Sequence, residues 1–173
     1  MNHIGTKTLE TERLILRKLE VEETKDYASV YYEQENISQQ QMESLEERLK
    51  YFSAIDKYYW GIVEKRSGNI IGEVLVFDGD NRTRSCVLAY QMSIKNRNKG
   101  YTTEAVTRIL PFLILEAGYN RISSGHQADN PASGRVMQKS GMKYEGTLRQ
   151  DFINKDGTLV DSILYSMIRQ DFE

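Results

Sequence analysis

The chain has 173 residues, a net charge of −2 at pH 7, 39% hydrophobic and 28% charged residues, two prolines and one cysteine. That length suits one domain with a substantial core and that composition excludes a disordered chain. The near-neutral charge argues against a nucleic-acid partner, the lack of any run of ~20 apolar residues against a membrane span, and the single Cys86 against an internal disulfide.

The opening MNHIGTKTLETERL carries no apolar leader, so a reducing cytoplasm is the expected compartment. Residues 8–18, TLETERLILRK, alternate around Leu14, Ile15 and Leu16 and predict a first strand. Two amphipathic helices follow, over 21–35 and 44–57, with Leu45, Leu49 and Phe52 at helical spacing and polar NISQQQ between them. WGIVEK (60–65), IIGEVLVF (70–77) and CVLAYQMSI (86–94) are joined by Gly/Asn/Asp turns too short for crossovers, which predicts a three-stranded antiparallel meander. Cys86, inside the last of these, reads as a small buried hydrophobe.

From Thr102 to Ala117 the apolar positions keep a helical period and Gly118 supplies a stop; Pro111, inside that helix, predicts a kink or a broken ladder. RISSGHQ (121–127) is a short strand. Asn130 and Pro131 then open a helix that runs to Ser140 and ends at Gly141. MKYEGTLRQDFI (142–153) and TLVDSILYSMI (158–168) form a hairpin across Asn154, Lys155, Asp156 and Gly157. The order is a mixed α/β (α+β) layout, expected to form one domain over residues 1–173.

NRNKGYTTEA (96–105) places Arg97 and Lys99 ahead of Gly100 and a helix start. Cations are unfavourable beside the positive end of a helix unless an anion joins them, so the stretch reads either as a phosphate site or as a solvated basic loop. GxxxxGK[ST] is absent and GxGxxG cannot be written here, which excludes a P-loop and a dinucleotide fingerprint.

Arg97-Asn98-Lys99-Gly100-Tyr101-Thr102 resembles the pyrophosphate loop of the GNAT acyltransferases, with Thr102 where Gly or Ala is usual. NPASGRVMQKSGMKYEGTLR (130–149) is similar to the family's second cofactor segment. TLETERLILR (8–17) and WGIVEKRSGNIIGEV (60–74) resemble the subgroup that contains the ribosomal-protein alanine N-acetyltransferases. The four segments stand in the family's order along nearly the whole chain.

The resemblance implies a mostly antiparallel seven-stranded sheet with about four helices, its fourth and fifth strands splayed to admit acetyl-CoA. It implies acetyl transfer to a primary amine, on a protein N-terminus or a small molecule, by direct attack on the thioester. Backbone groups of Met92, Ser93 and Ile94 would pair with the pantetheine. Arg97, Asn98, Lys99, Gly100, Tyr101, Thr102 and Thr103 would hold the pyrophosphate. Asn130 and Ser133 would contact the pantetheine or phosphate side and Lys139 a phosphate, while Asn130 has a competing role as helix cap. A homodimer is common in the family, but these residues carry no oligomer signal.

Amide formation needs a neutral amine, a stabilised oxyanion and a protonated leaving thiolate. A backbone N–H near Met92 can serve the oxyanion. The family's usual strand-four Glu, strand-five Glu and helical Tyr fall on Val87, Gly125 and Met137, none of which moves a proton. Ser133 is the candidate acid and His126 a candidate base, although strand alternation can turn His126 away from the face of Gly125. Glu73 and Asp161 remain as base or as structural hydrogen-bonding groups, and water can carry the proton instead. The empty positions leave a non-catalytic acyl-CoA-binding module as the competing reading. VYYEQEN (30–36) and KYYWGI (57–62) supply aromatics for an acceptor wall or for the core.

Overall fold

Apolar alternation along the chain resolves into one eight-stranded sheet in the computed structural model, which describes residues 3–34 and 36–172. The strands are β1 (Leu9–Glu10), β2 (Leu14–Arg17), β3 (Tyr59–Glu64), β4 (Ile70–Asp80), β5 (Ser85–Met92), β6 (Arg121–Gln127), β7 (Lys143–Ile153) and β8 (Leu159–Ile168). Their order is β1-β2-β3-β4-β5-β6-β8-β7, and every pair is antiparallel except β5 with β6. The expected strand over 8–18 is two strands, which makes eight rather than seven. Thr11 turns the chain back by donating its N–H to the Leu14 carbonyl (3.0 Å) and accepting the Leu14 N–H at Oγ1 (2.9 Å).

The pleat sends alternate side chains to opposite faces, and each face has its own apolar layer. Trp60, Ile62, Val74 and Leu88 meet Val106, Ile109 and Leu113 of the central helix on one face. On the other, Tyr59 and Leu75 meet Tyr27, Leu45, Leu49 and Phe52. Each fully buried large side chain contributes roughly 1.5–3 kcal/mol. Both Tyr-rich segments feed these layers: Tyr58 and Tyr59 are buried, and Tyr31 and Tyr32 pack on the second layer.

The first helix is shorter than expected. A 3-10 turn at Val21–Glu23 leads into α1 (Thr24–Tyr31), and the expected end at Glu35 lies outside the described residues. The second, α2, spans Gln39–Phe52 rather than 44–57. Its start lies inside NISQQQ because Ser38 and Gln41 form a reciprocal capping box, Ser38 Oγ accepting from the Gln41 N–H (3.2 Å) and Gln41 Oε1 from the Ser38 N–H (2.9 Å).

The central helix α3 (Tyr101–Pro111) continues through a π-helical turn at Phe112–Glu116. Pro111 has no N–H to give, and the ladder resumes in wider register, with the Ala117 N–H on the Phe112 carbonyl at 2.9 Å. Helix α4 (Pro131–Lys139) lies on the same face as α3, and the Asn154–Gly157 turn closes the β7–β8 hairpin as expected.

Candidate active site

β5 and β6 pair in register only at Ser85↔Arg121, Cys86↔Ile122 and Val87↔Ser123. The Ser124 hydroxyl donates to the Leu88 carbonyl at 2.8 Å as the last link, and beyond it the two strands separate. The Ser93 N–H bonds to Ile71 of the β4 side at 2.9 Å. Main-chain direction alternates along a strand, so Ser93 is turned away from the gap while Tyr90 and Met92 turn their amides toward it. Of the three residues expected to pair with pantetheine, Ser93 therefore faces the wrong strand. The Ile94 carbonyl accepts the Arg97 N–H at 3.3 Å, and the Met92 carbonyl accepts Arg97 Nε at 3.0 Å.

The loop after β5 is shaped for an anion. Asn98 (φ 62°) and Gly100 (φ 82°) are both left-handed, a conformation that only Gly adopts without cost, and α3 starts at once. Its first ladder bond is Glu104 N–H to the Gly100 carbonyl at 3.0 Å. The N–H groups of Tyr101, Thr102 and Thr103 precede it and have no intrahelical acceptor, and no side chain caps them. Converging donors at a positive helix end fit a pyrophosphate, which would be held by these three residues.

The loop is braced from behind by Arg13, in the turn between β1 and β2. Its guanidinium lies 4.5 Å over the Tyr101 ring, Nη1 donates to the Lys99 carbonyl (3.1 Å), and Nε donates to Glu104 (2.7 Å). Glu104 also accepts from Thr11 Oγ1 (2.5 Å) and the Arg13 N–H (3.0 Å). Burial works against this carboxylate, but the three donors outweigh it and hold its pKa below the usual range. Arg13 left no mark in the sequence as a site residue, because its partner lies 91 positions away.

Gap and loop open into a cleft of about 610 Å³ between α3 and α4. Met92, Arg97, Asn98 and Gly100 line it with Tyr101, Thr102 and Thr103, facing Asn130, Ser133 and Lys139 across the opening. Ser93 and Ile94 instead border a second hollow, on the far side of the loop beside Glu33 and Glu64. Arg97 is half committed elsewhere: its Nη2 is paired with Glu33 at 2.5 Å. Lys99 donates to Asn96 at 3.2 Å. Arg135 lines the cleft one turn before Lys139 and was missed, although their spacing of four on α4 puts both on one face.

Asn130 occupies the cap position of α4 but makes no side-chain cap bond, so its amide is left for the cleft. Ser133 Oγ donates to the Tyr90 hydroxyl at 3.0 Å, and that hydroxyl donates to the Ser133 carbonyl at 2.8 Å. Burial raises the Tyr90 phenol to about 12. Tyr90 was not anticipated as a site residue.

His126 points to the α4 side, away from the face of Gly125 and outside the residues that line the cleft. Met137 is buried in the core. A Cβ at Gly125 would meet Leu164 Cδ2 at 3.1 Å, so this backbone has no room for the usual Glu without movement of Leu164. Glu73 is buried and accepts from the Tyr27 hydroxyl and from Arg48 Nη2 (3.0 and 3.2 Å). Asp161 accepts the Gln150 N–H at 2.9 Å, across a bulge where Gln150 is left-handed (φ 54°). Both carboxylates are committed to these bonds, and neither lines the cleft.

A mixed sheet that splays after a short parallel pairing, with a left-handed loop and a bare helix N-terminus at the mouth, defines an acyltransferase of the GNAT type. The acetyltransferase (GNAT) domain matches residues 13–143, and the chain belongs to that family. It is 27% identical to an uncharacterized N-acetyltransferase of Bacillus subtilis, YoaA, over 93% of this chain and 96% of that protein. Its fold is that of the ribosomal-protein-S5-alanine acetyltransferase of Vibrio fischeri (TM-score 0.84, 19% identity, 96% of this chain and 99% of that one). It is also that of a microcin self-immunity acetyltransferase solved with acetyl-CoA and AMP (TM-score 0.76, 17% identity, 91% and 93%). The protein is an acetyltransferase, and acetyl-CoA is the donor typical of its family.

Proposed function

We propose that this protein transfers the acetyl group of acetyl-CoA to a primary amine, acting as one domain over residues 1–173 in the cytoplasm. The observation that carries the reading is the left-handed Asn98–Gly100 loop, which aims three unpartnered N–H groups of α3 into the cleft at the end of the β5–β6 gap. Acetyl-CoA would supply an activated acyl group there. The chain's part is to bind phosphate at Tyr101, Thr102 and Thr103, to guide the pantetheine past Met92 and Asn130, and to offer the Met92 N–H to the oxyanion.

The amine approaches from the sheet face opposite α4, where Val87, Ala89, Gly125 and Leu164 border the gap. The side chains of these four bear no proton acceptor, which supports loss of the amine proton through water. An α-amine of pKa ~8 is then favoured over a lysine amine of ~10.4 by roughly 200-fold in neutral fraction near pH 7. A protein N-terminus, or a small amine of comparable pKa, is the acceptor this face suits best.

Two measurements test the reading. Acetyl-CoA binds in the micromolar range by calorimetry, and Gly100→Glu abolishes binding by adding bulk, charge and a strained φ of 82° beside the phosphate donors. CoA release is then followed over a panel of peptides and small amines. Tight binding with no turnover on any amine would leave an acyl-CoA-binding module instead.

A further inference from the structure

Resting on the acetyl-CoA reading above, we propose that Tyr90 returns the proton to the departing thiolate, with Ser133 as the partner that holds its oxygen. Tyr90 lies on β5 with its amide toward the gap, and its side chain crosses from the sheet to the first turn of α4. It therefore spans the cleft at the place the pantetheine must pass. Its hydroxyl carries two bonds to one residue, giving its hydrogen to the Ser133 carbonyl (2.8 Å) and receiving the Ser133 Oγ hydrogen (3.0 Å).

That arrangement reverses the roles the sequence suggests. The Ser133 hydrogen is spent on Tyr90, whereas the Tyr90 hydrogen rests on a neutral carbonyl, a weaker acceptor than a thiolate. Burial raises the phenol to about 12, so its hydrogen is on the oxygen throughout the neutral range. Among the cleft's other polar groups, the guanidinium groups of Arg97 and Arg135 do not give up a proton, and the Tyr101 hydroxyl is bonded to Glu64 behind the loop.

The step balances as follows. The amine nitrogen forms a bond to the acyl carbon, the carbon–sulfur bond breaks and its electron pair goes to sulfur, and the Tyr90 hydrogen passes from oxygen to sulfur. The phenolate keeps the Ser133 Oγ–H bond and is reprotonated through water by the proton the amine sheds. Free thiol and amide are the products, with Tyr90 restored.

The test compares CoA with desulfo-CoA, which lacks the sulfur, by calorimetry on wild type, Tyr90→Phe and Ser133→Ala, together with the pKa of the bound CoA thiol from its thiolate absorbance. Tyr90→Phe weakens CoA about tenfold, leaves desulfo-CoA within about twofold, raises the bound thiol pKa and lowers kcat by ~10²-fold or more. Ser133→Ala moves the same three readings in the same direction by less. Equal weakening of both ligands, or an unchanged bound thiol pKa, would reduce Tyr90 to a strut for α4 and overturn the proposal. If Tyr90→Phe does not fold, Ser133→Ala decides alone, and unchanged discrimination in it overturns the proposal. Failure of wild type to bind either ligand overturns the acetyl-CoA reading itself.

Discussion

The imidazole of His126 lies directly beneath Gly134: a Cβ on that glycine would stand 2.5 Å from Nε2 and 3.0 Å from Cε1. The ring stacks on Tyr165 with centroids 6.0 Å apart, and Nδ1–H donates to the Gln127 carbonyl at 2.8 Å. His126 is thus the surface on which the first turns of α4 rest. It sets the height of Asn130 and Ser133 above the cleft and lies outside the residues that line it.

Gly134→Ala forces that contact apart. The expected cost is about 1–3 kcal/mol of stability with weaker acetyl-CoA binding, read by thermal melts and calorimetry. Combining it with His126→Ala removes the clash and recovers much of the loss, a coupling a double-mutant cycle detects. His126→Ala alone keeps turnover within a few-fold; a fall of ~10²-fold in a folded variant would instead reinstate it as a base.

Glu104 makes the anion loop sensitive to acid. A carboxylate whose folded pKa is held below its ordinary 4.5 stabilises the protein above that value, and the contribution disappears as pH falls through the folded value. Thermal stability should decline below about pH 4.5, and Glu104→Gln should flatten that limb while loosening Arg13 from the loop. An unchanged acid limb would assign the decline to other carboxylates such as Glu23, which Arg17 holds low.

Glu73 and Arg48 form an ion pair with side chains 4% and 24% exposed. Glu73→Gln leaves the Arg48 charge without its partner and costs about 3–5 kcal/mol in denaturant unfolding. Glu73→Gln with Arg48→Met restores part of that stability, because the removed charges no longer need each other. The folded fraction keeps its turnover, as expected of a pair that ties α2 to β4.

Cys86 is buried, and burial alone pushes its thiol up to about 12. Thiol reagents should label the native protein about a thousandfold more slowly than a denatured control, so labelling reports opening of the β4–β5–β6 core. Fast labelling under native conditions would show that β5 opens independently.

The strands, the loop before α3, the start of α4 and the hairpin were legible because each rests on local rules: alternation over LILR, Asp-Gly in a tight turn, Asn-Pro before α4. The errors were also local in origin. The split of residues 8–18 depends on one Thr11 side chain, and the early start of α2 on the Ser38–Gln41 box, a spacing that a search for capping residues finds. Pro111 announced a broken ladder, but whether it would appear as a kink or a π turn depended on packing under Phe112 and Leu113.

For the site, the sequence by itself determined the loop, since Gly100 before a helix start and the short-range order of NRNKGYTTEA need no distant partner to present their N–H groups. Only the tertiary structure decided what the side chains do. It gave Arg97 to Glu33 across 64 positions, Arg13 to Glu104 across 91, and Tyr90 to Ser133 across 43. Backbone donors at a helix end follow from local dihedrals, whereas the partner of a charged or hydroxyl side chain is set by which strands and helices meet, and no local pattern encodes that meeting.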